Sequence, residues 1–388
     1  MIRPAPGGRD PKLSLVADPS RLTDLVQDAI DAFLDRQAAQ AAAISPDLAP
    51  LLDEARGLLA GGKRFRARFC YWGWRAVAGI PAELDPMAPS APQGDRDAVV
   101  GVAAALELLH AAALVHDDIM DRSATRRGRP SAHEAFAALH RASGWTKDAA
   151  RFGEAAALLL GDLLLGWADA ALREAAAHLA DRAAAAAAIG EFERMRAEVT
   201  LGQYLDVLEE VSWIARPDGE AAARAQRVVV YKSAKYSIEA PLVIGALLGG
   251  ATPAQIAAMR SFGVPLGVAF QLRDDLLGVY GDPETTGKPA GDDLREGKRT
   301  VLIALARAAL PGSARSLLDE LLGDPELDEA QIDLIRRTLR ECGAVDQVER
   351  AIEYHVRRAV EAIESAHITA SSRRELVALA EAVSRRQA

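Results

Sequence analysis

The sequence predicts an all-α protein, a single-domain bundle of ten or more helices. Three observations predict it. Apolar residues recur at helical spacing through 21–42, 50–60, 64–79, 98–120, 150–178, 183–211, 219–248, 253–276, 300–309, 327–341 and 344–367. Alternating strand-like patterning is almost absent. Half of the 388 residues are hydrophobic but only 5% are aromatic, so the core is built from Ala, Leu and Val. Alanine runs such as 183–188 favour helix strongly. The breaks, 80–97, 122–131, 212–218 and 281–299, are rich in Pro, Gly and Asp, and none resembles an interdomain linker. Residues 1–20 read as a mobile N-terminal tail and 21–388 as one domain.

Composition narrows the class of function. A net charge of −9 argues against a nucleic-acid binder, which shows a basic face. It does not exclude phosphorylated substrates, because local Arg and Lys clusters can dominate the field inside a cleft. Cys70 and Cys342 form no metal or redox motif and read as thiols of a reducing compartment. The start, MIRPAPGGRDPK, lacks the apolar segment of a signal peptide. The stretch near 240–251, APLVIGALLGGA, reads as the longest uncharged apolar run and is too short to span a bilayer. The expectation is a soluble, cytoplasmic protein without a transmembrane segment.

Taken in order, the helices carry the charged motifs. GGKRFRAR at 61–68 opens the helix at 64–79; Gly61 and Gly62 admit close backbone approach, and Lys63 and Arg66 share a face. The apolar helix at 98–120 ends in HDDIMD, followed by RSATRRGRP. Asp117 and Asp121 are four residues apart and project from one face. Carboxylates one turn apart suit hard divalent cations such as magnesium, which completes its octahedron with waters and substrate phosphates. Arg126 and Arg127 follow, and guanidinium forks match phosphate geometry. Acid for a metal beside base for a phosphate suggests a site for a metal-bound diphosphate. His110 lies two turns before Asp117 on nearly the same face, and His116 reads as local structure. The helix at 219–248 holds YKSAKYS, with Lys232 and Ser233 in apolar surroundings. The helix at 253–276 ends in FQLRDD, a second acid pair, Asp274 and Asp275. Two helices bearing acid pairs can face each other across a cavity. GKPAGDDLREGKRT then supplies Lys288 and Lys298 on a loop.

From about residue 50 to 310, GGKRFR, ELLHAAALVHDDIMD, RRGRP, GDLLL, GQYLD, YKSAKYS, FQLRDD, GDPETTGKPAGDD and GKRT occur in this order. As an ordered set they are highly specific, and the chain resembles a trans-isoprenyl diphosphate synthase of the polyprenyl synthetase family. The resemblance implies the isoprenoid synthase fold, a helical bundle around a central cavity, and a homodimer. It implies that Asp117 and Asp121, with Asp118 beside them, hold magnesium on an allylic diphosphate (dimethylallyl, geranyl or farnesyl). Asp274, with Asp275, holds a further ion, about three in all. Arg126, Lys232, Lys288 and Lys298 neutralise that diphosphate. Lys63, Arg66, His110 and Arg127 bind isopentenyl diphosphate. Gln271 and Ser233 offer oxygen dipoles near the cationic carbon chain. The reaction implied is ionisation, condensation and elimination without a side-chain nucleophile.

The chain departs from the family pattern at two positions. Gly278 stands where the second motif commonly has a third aspartate, which weakens a metal or alters substrate preference. Ser233 replaces a common threonine and keeps the hydroxyl. Two other functional classes compete: a terpene cyclase, which would not need Lys63, Arg66, His110 and Arg127, and a non-catalytic partner subunit, which would have lost acids or arginines. For product length, Ala113 and Ala112, four and five residues before Asp117, leave open space that aromatic residues in this family close at fifteen carbons. Leu108 and Leu109, about 5.4 Å further along the axis, are partial floors. The expected product is the twenty-carbon geranylgeranyl diphosphate, with farnesyl or longer polyprenyl diphosphates as alternatives.

Overall fold

The computed structural model describes residues 19–78, 93–281 and 291–384. The predicted tail, apart from its last two residues, and Lys288 lie outside the described residues. The helices run α1 (Pro19–Ile44), α2 (Ala49–Leu59), α3 (Phe65–Ala78), α4 (Gln93–Met120), α5 (Ala132–Ala142), α6 (Ala149–Ala176) and α7 (Arg182–Ser212). After α8 (Ala221–Val228) come a π-helical stretch, Val229–Glu239, and α9 (Ala240–Leu248) on one continuous helical path. Next are α10 (Pro253–Tyr280), the short α11 (Asp292–Arg295), α12 (Val301–Ala309), α13 (Gly312–Leu321), α14 (Glu329–Glu341), α15 (Ala344–Glu364) and α16 (Ala370–Ser384). Strand among the described residues is confined to a two-residue hairpin, Thr125–Arg126 with Arg129–Pro130.

The ends of the helices follow side-chain chemistry. Asp148 and Asp181 accept from the first backbone N–H groups of α6 and α7, and Thr252 and Asp328 form capping boxes on α10 and α14. Helix α4 is the apolar axis of the first half of the bundle and packs on α1, α3 and α6. Helices α5, α11, α13 and α16 were not among the predicted segments. The helix α5 draws its stability from packing one face, burying Phe136 and Ala137 against α6.

By length and composition, Asp95–Met120 and Ala149–Ala176 are each long and apolar enough to cross a bilayer, although both carry charged residues that the 240–251 stretch lacks. The first is mostly buried inside the bundle, whereas the second leaves a large part of its apolar surface uncovered.

The π-helical stretch was not legible in the sequence, which reads as ordinary helix there. It is wedged between α7 and α10 through glycines. A Cβ on Gly202 would lie 2.4 Å from the Lys232 nitrogen, and one on Gly267 would lie 2.5 Å from Ala234 Cα. Lys235 pairs with Glu198 at 2.7 Å and Arg260 with Glu191 at 2.9 Å, tying the same three helices together. Widened helical turns of this kind often occur at functional sites, and this one carries Lys232 and Ser233.

Candidate active site

One cleft of about 650 Å³ is enclosed by the start of α3, the C-terminal half of α4, α7, the π-helical stretch, the end of α10 and residues 292–300. That size suits a small-molecule site. Of the sequence-predicted residues, Lys63, Arg66, His110, Asp117, Arg126, Arg127, Lys232, Ser233, Gln271, Asp274, Asp275 and Lys298 line it.

Asp117 is the centre of its charge network. Its Oδ1 accepts from Lys232 Nζ at 3.0 Å and from Gln203 Nε2 at 2.9 Å, and Arg126 lies 3.6 Å from Oδ2. Burial alone would raise its pKa, but Lys232, Lys298 and Arg126 hold the carboxyl well below the usual range. Lys232 also binds Asp206, and these carboxylates outweigh burial and keep the ammonium charged. One turn on, Asp121 meets Lys298 at 2.9 Å, and Lys298 also reaches Glu296 at 2.7 Å.

Asp118 departs from the expectation that it holds metal. Adjacent helical residues diverge by about 100°, and Asp118 turns into the protein, where it is 1% exposed and accepts two hydrogen bonds from Arg126. It positions the arginine instead of facing the cleft.

At the other end of the cleft, left-handed backbone brings two basic turns together. Gly61, Gly62 and Arg64 have φ of 65°, 96° and 48°, and Arg127 and Gly128 have φ of 54° and 73°. A Cβ on Gly62 would lie 3.5 Å from the Arg127 guanidinium. Arg64 is buried against Glu107 at 3.4 Å, and Glu107 also accepts from the Ala67 N–H at 3.2 Å, fixing the entry to α3. Arg66 stacks 4.3 Å above the Tyr236 ring and donates to Ser237 at 2.9 Å. Tyr236 meets His110 Nδ1 at 2.9 Å. Burial, reinforced by Arg66 and Arg127, lowers the His110 pKa well below its ordinary value, so the ring is neutral near pH 7.

The acids of α10 differ in setting. Asp274 is exposed to the cleft, whereas Asp275 is buried and accepts from Gln271 at 2.8 Å. Asp275 Oδ2 is buried without a hydrogen-bond partner, an orphaned acceptor that suits a cation. Among the described residues, no three His, Cys, Asp or Glu side chains converge tightly enough to hold an ion by themselves. The donors facing the cleft are hard oxygens, which fits magnesium sharing its shell with phosphate oxygens and water.

Burial, aided by Asp293 and Asp274, raises the Asp275 carboxyl to about 8. Glu210 is raised to about 7 by burial and by Asp206 and Asp121. Folding therefore favours their protonated forms, and the stability they contribute is full below about pH 4 and lost as pH rises through the folded values. The thermal midpoint of metal-free protein is expected to fall across this window, less steeply in Asp275→Asn, with magnesium and diphosphate raising it at pH 8. Denaturation scans across pH check this; an identical slope in Asp275→Asn would place the protons elsewhere.

Several lining residues had no role in the sequence reading. Gln203 and Asp206 sit three apart in GQYLD, on one helix face towards Lys232, and that spacing was the available signal. Tyr236, Ser237 and Glu107 had no such signal, because their partners come from other helices. The product-length residues divide. Ala113 lines the cleft, whereas Ala112, Leu108 and Leu109 are buried in the apolar core behind it. At about 100° per residue, Leu108 lies opposite Asp117 on α4.

Comparison with known proteins identifies the family and the fold. The polyprenyl synthetase family model matches residues 50–339. A short chain isoprenyl diphosphate synthase of Methanothermobacter thermautotrophicus is 31% identical over 79% of this chain and 81% of its own. A geranylgeranyl diphosphate synthase of Mycobacterium tuberculosis is 29% identical over 86% of this chain and 83% of its own. The crystal structure of a geranylgeranyl pyrophosphate synthase from Corynebacterium glutamicum, with isoprenyl diphosphate and magnesium, superposes with a TM-score of 0.86 at 36% identity. It covers 95% of this chain and all of that one.

Proposed function

The chain belongs to the polyprenyl synthetase family and is a trans-prenyltransferase, and from that premise we propose that it condenses isopentenyl diphosphate with an allylic diphosphate, with magnesium, to give mainly geranylgeranyl diphosphate. The observation that carries the reading is the joining, in one cleft, of an acid-and-lysine end around Asp117 and Asp274 with an arginine-rich end around Arg66 and Arg127. A terpene cyclase needs only the first. A non-catalytic subunit would not retain both.

In this reading the allylic diphosphate lies at the acid end. Asp117, Asp121 and Asp274, with Asp275 behind them, would hold magnesium. Bound magnesium supplies Lewis-acid stabilisation of the charge that develops on the leaving diphosphate. Lys232, Lys298 and Arg126 add fixed positive charge there, and being preorganised they need little rearrangement during ionisation. Lys63, Arg66, Arg127 and neutral His110 hold the second diphosphate. In the tautomer whose Nδ1 accepts from the Tyr236 hydroxyl, the other ring nitrogen of His110 would donate to a phosphate oxygen. The allylic C–O bond breaks, the isopentenyl double bond attacks the allylic carbon, and the proton lost from the new chain passes to the departed diphosphate. Ser233 and Gln271 present polar atoms to the wall along which the cationic carbon lies.

Leu158, Leu159 and Leu163 on α6 are exposed, and this apolar surface supports a soluble homodimer. Incubating the protein with magnesium, isopentenyl diphosphate and dimethylallyl, geranyl or farnesyl diphosphate tests the function; cyclic hydrocarbon or no turnover would overturn it. Ala113→Phe fills the cleft wall one turn below Asp117 and is expected to shift the main product from twenty to fifteen carbons. An unchanged chain length on chromatography of the dephosphorylated products would show that growth does not pass Ala113.

A further inference from the structure

Lys298 enters the cleft from an irregular connection, residues 296–300, between α11 and α12. Its ammonium meets Asp121 at 2.9 Å and Glu296 at 2.7 Å. A connection of this kind has no helical register to fix a side chain, so its place depends on what holds the neighbouring residues.

The next residue, Arg299, is held by groups that the site described above does not use. It runs between the cleft and a small recess formed with Glu209, Trp213, Arg224 and Arg307. Its guanidinium carbon lies 3.7 Å from the centroid of the Trp213 ring, and that of Arg307 lies 4.7 Å from the same ring. Asp319 of α13 pairs with Arg299 at 3.0 Å and with Arg307 at 2.8 Å, and Asp218 pairs with Arg307 at 2.9 Å. Arg299 Nε is buried and has no hydrogen-bond partner among the described residues. One carboxylate and the ring face therefore hold this guanidinium, and an aromatic face attracts a cation most strongly where water is excluded. Trp213 is itself anchored. It follows α7 directly, and its N–H donates to Glu209 O. Arg224 Nε in turn donates to both Glu209 carboxylate oxygens at 2.9 Å, with both side chains buried.

We propose that Trp213 is a positioning residue: by stacking on Arg299 it holds the adjacent Lys298 against Asp121 in the cleft. The inference rests on the functional reading above, in which Lys298 lies at the leaving diphosphate. Helix α7 then sets both lysines of the acid end, Lys232 through Asp206, and Lys298 through Trp213 and Arg299.

The test is steady-state kinetics with magnesium, isopentenyl diphosphate and geranyl diphosphate. The proteins are wild type, Trp213→Leu, Trp213→Phe, Asp319→Asn, Lys298→Gln and Trp213→Leu/Lys298→Gln, with circular dichroism to verify folding. Leucine fills much of the indole volume without a π face, and Trp213→Leu is expected to lower kcat about 10- to 100-fold, since misplacement by about 1 Å can cost about a hundredfold. The KM for isopentenyl diphosphate, bound at the opposite end, is expected to stay within about twofold. Trp213→Phe keeps a ring face and should hold kcat within about threefold of wild type. Asp319→Asn, which weakens the other hold on Arg299, should show the same split with a smaller fall. In Lys298→Gln protein, assayed at raised enzyme concentration, Trp213→Leu should add less than about twofold, because it acts through Lys298. Wild-type kcat in folded Trp213→Leu, a fall in Trp213→Phe as large as in Trp213→Leu, or an equal fall with and without the Lys298 ammonium would overturn this inference alone. Should Trp213→Leu not fold, wild-type kcat in Asp319→Asn would overturn it. A wild-type protein that catalyses no condensation would overturn the functional reading with it.

Discussion

Asp117→Ala is expected to lower turnover about a hundredfold or more while leaving the helical content unchanged. Losses of this size follow the removal of one preorganised electrostatic group in other enzymes, and here the effect spreads. Asp117 is the shared acceptor of Lys232 and Gln203 and the neighbour of Arg126. Truncating it removes a proposed metal donor and also releases Lys232, which would keep only Asp206 among the contacts it now makes. The fold does not depend on it, because the core face of α4 is apolar from Val99 to Val115. Steady-state kinetics with circular dichroism checks this. Near-normal turnover in a folded variant would remove Asp117 from the chemistry.

Gly202→Ala should be almost as damaging through packing alone. The new methyl carbon would lie 2.4 Å from the Lys232 nitrogen and 2.6 Å from the Tyr231 carbonyl carbon. These are backbone atoms, so no side-chain rotation relieves the clash, and the π-helical stretch must move away from α7. Overpacking of this kind costs about 1–3 kcal/mol. The same movement draws Lys232 from its 3.0 Å contact with Asp117, and a displacement of about 1 Å can cost about a hundredfold in rate. The expected result is a lowered thermal midpoint with a fall in kcat that exceeds any rise in KM. Wild-type kcat in this variant would show that Lys232 tolerates the shift.

The electrostatic residues were legible because their spacing is local. Asp117 and Asp121 fall on one face by helical geometry, and His110 lies two turns earlier on the same line. Asp118 was misread for a related reason: the sequence shows two adjacent acids, and only the backbone shows that the second is turned into a buried pair with Arg126. The reading of Ala112 as equivalent to Ala113 failed in the same way, since adjacent residues on one helix meet different neighbours.

The helical class and the charged motifs follow from local patterning, because apolar period and charge spacing are properties of contiguous residues, and the order of those motifs carries the family resemblance. The π-helical widening at Val229–Glu239 and the stacking of Arg66 on Tyr236 do not follow from that patterning. Each depends on how closely two helices distant in sequence approach. That distance is set by which glycines face which backbone atoms once the bundle has closed, and it is encoded in no single segment of the chain.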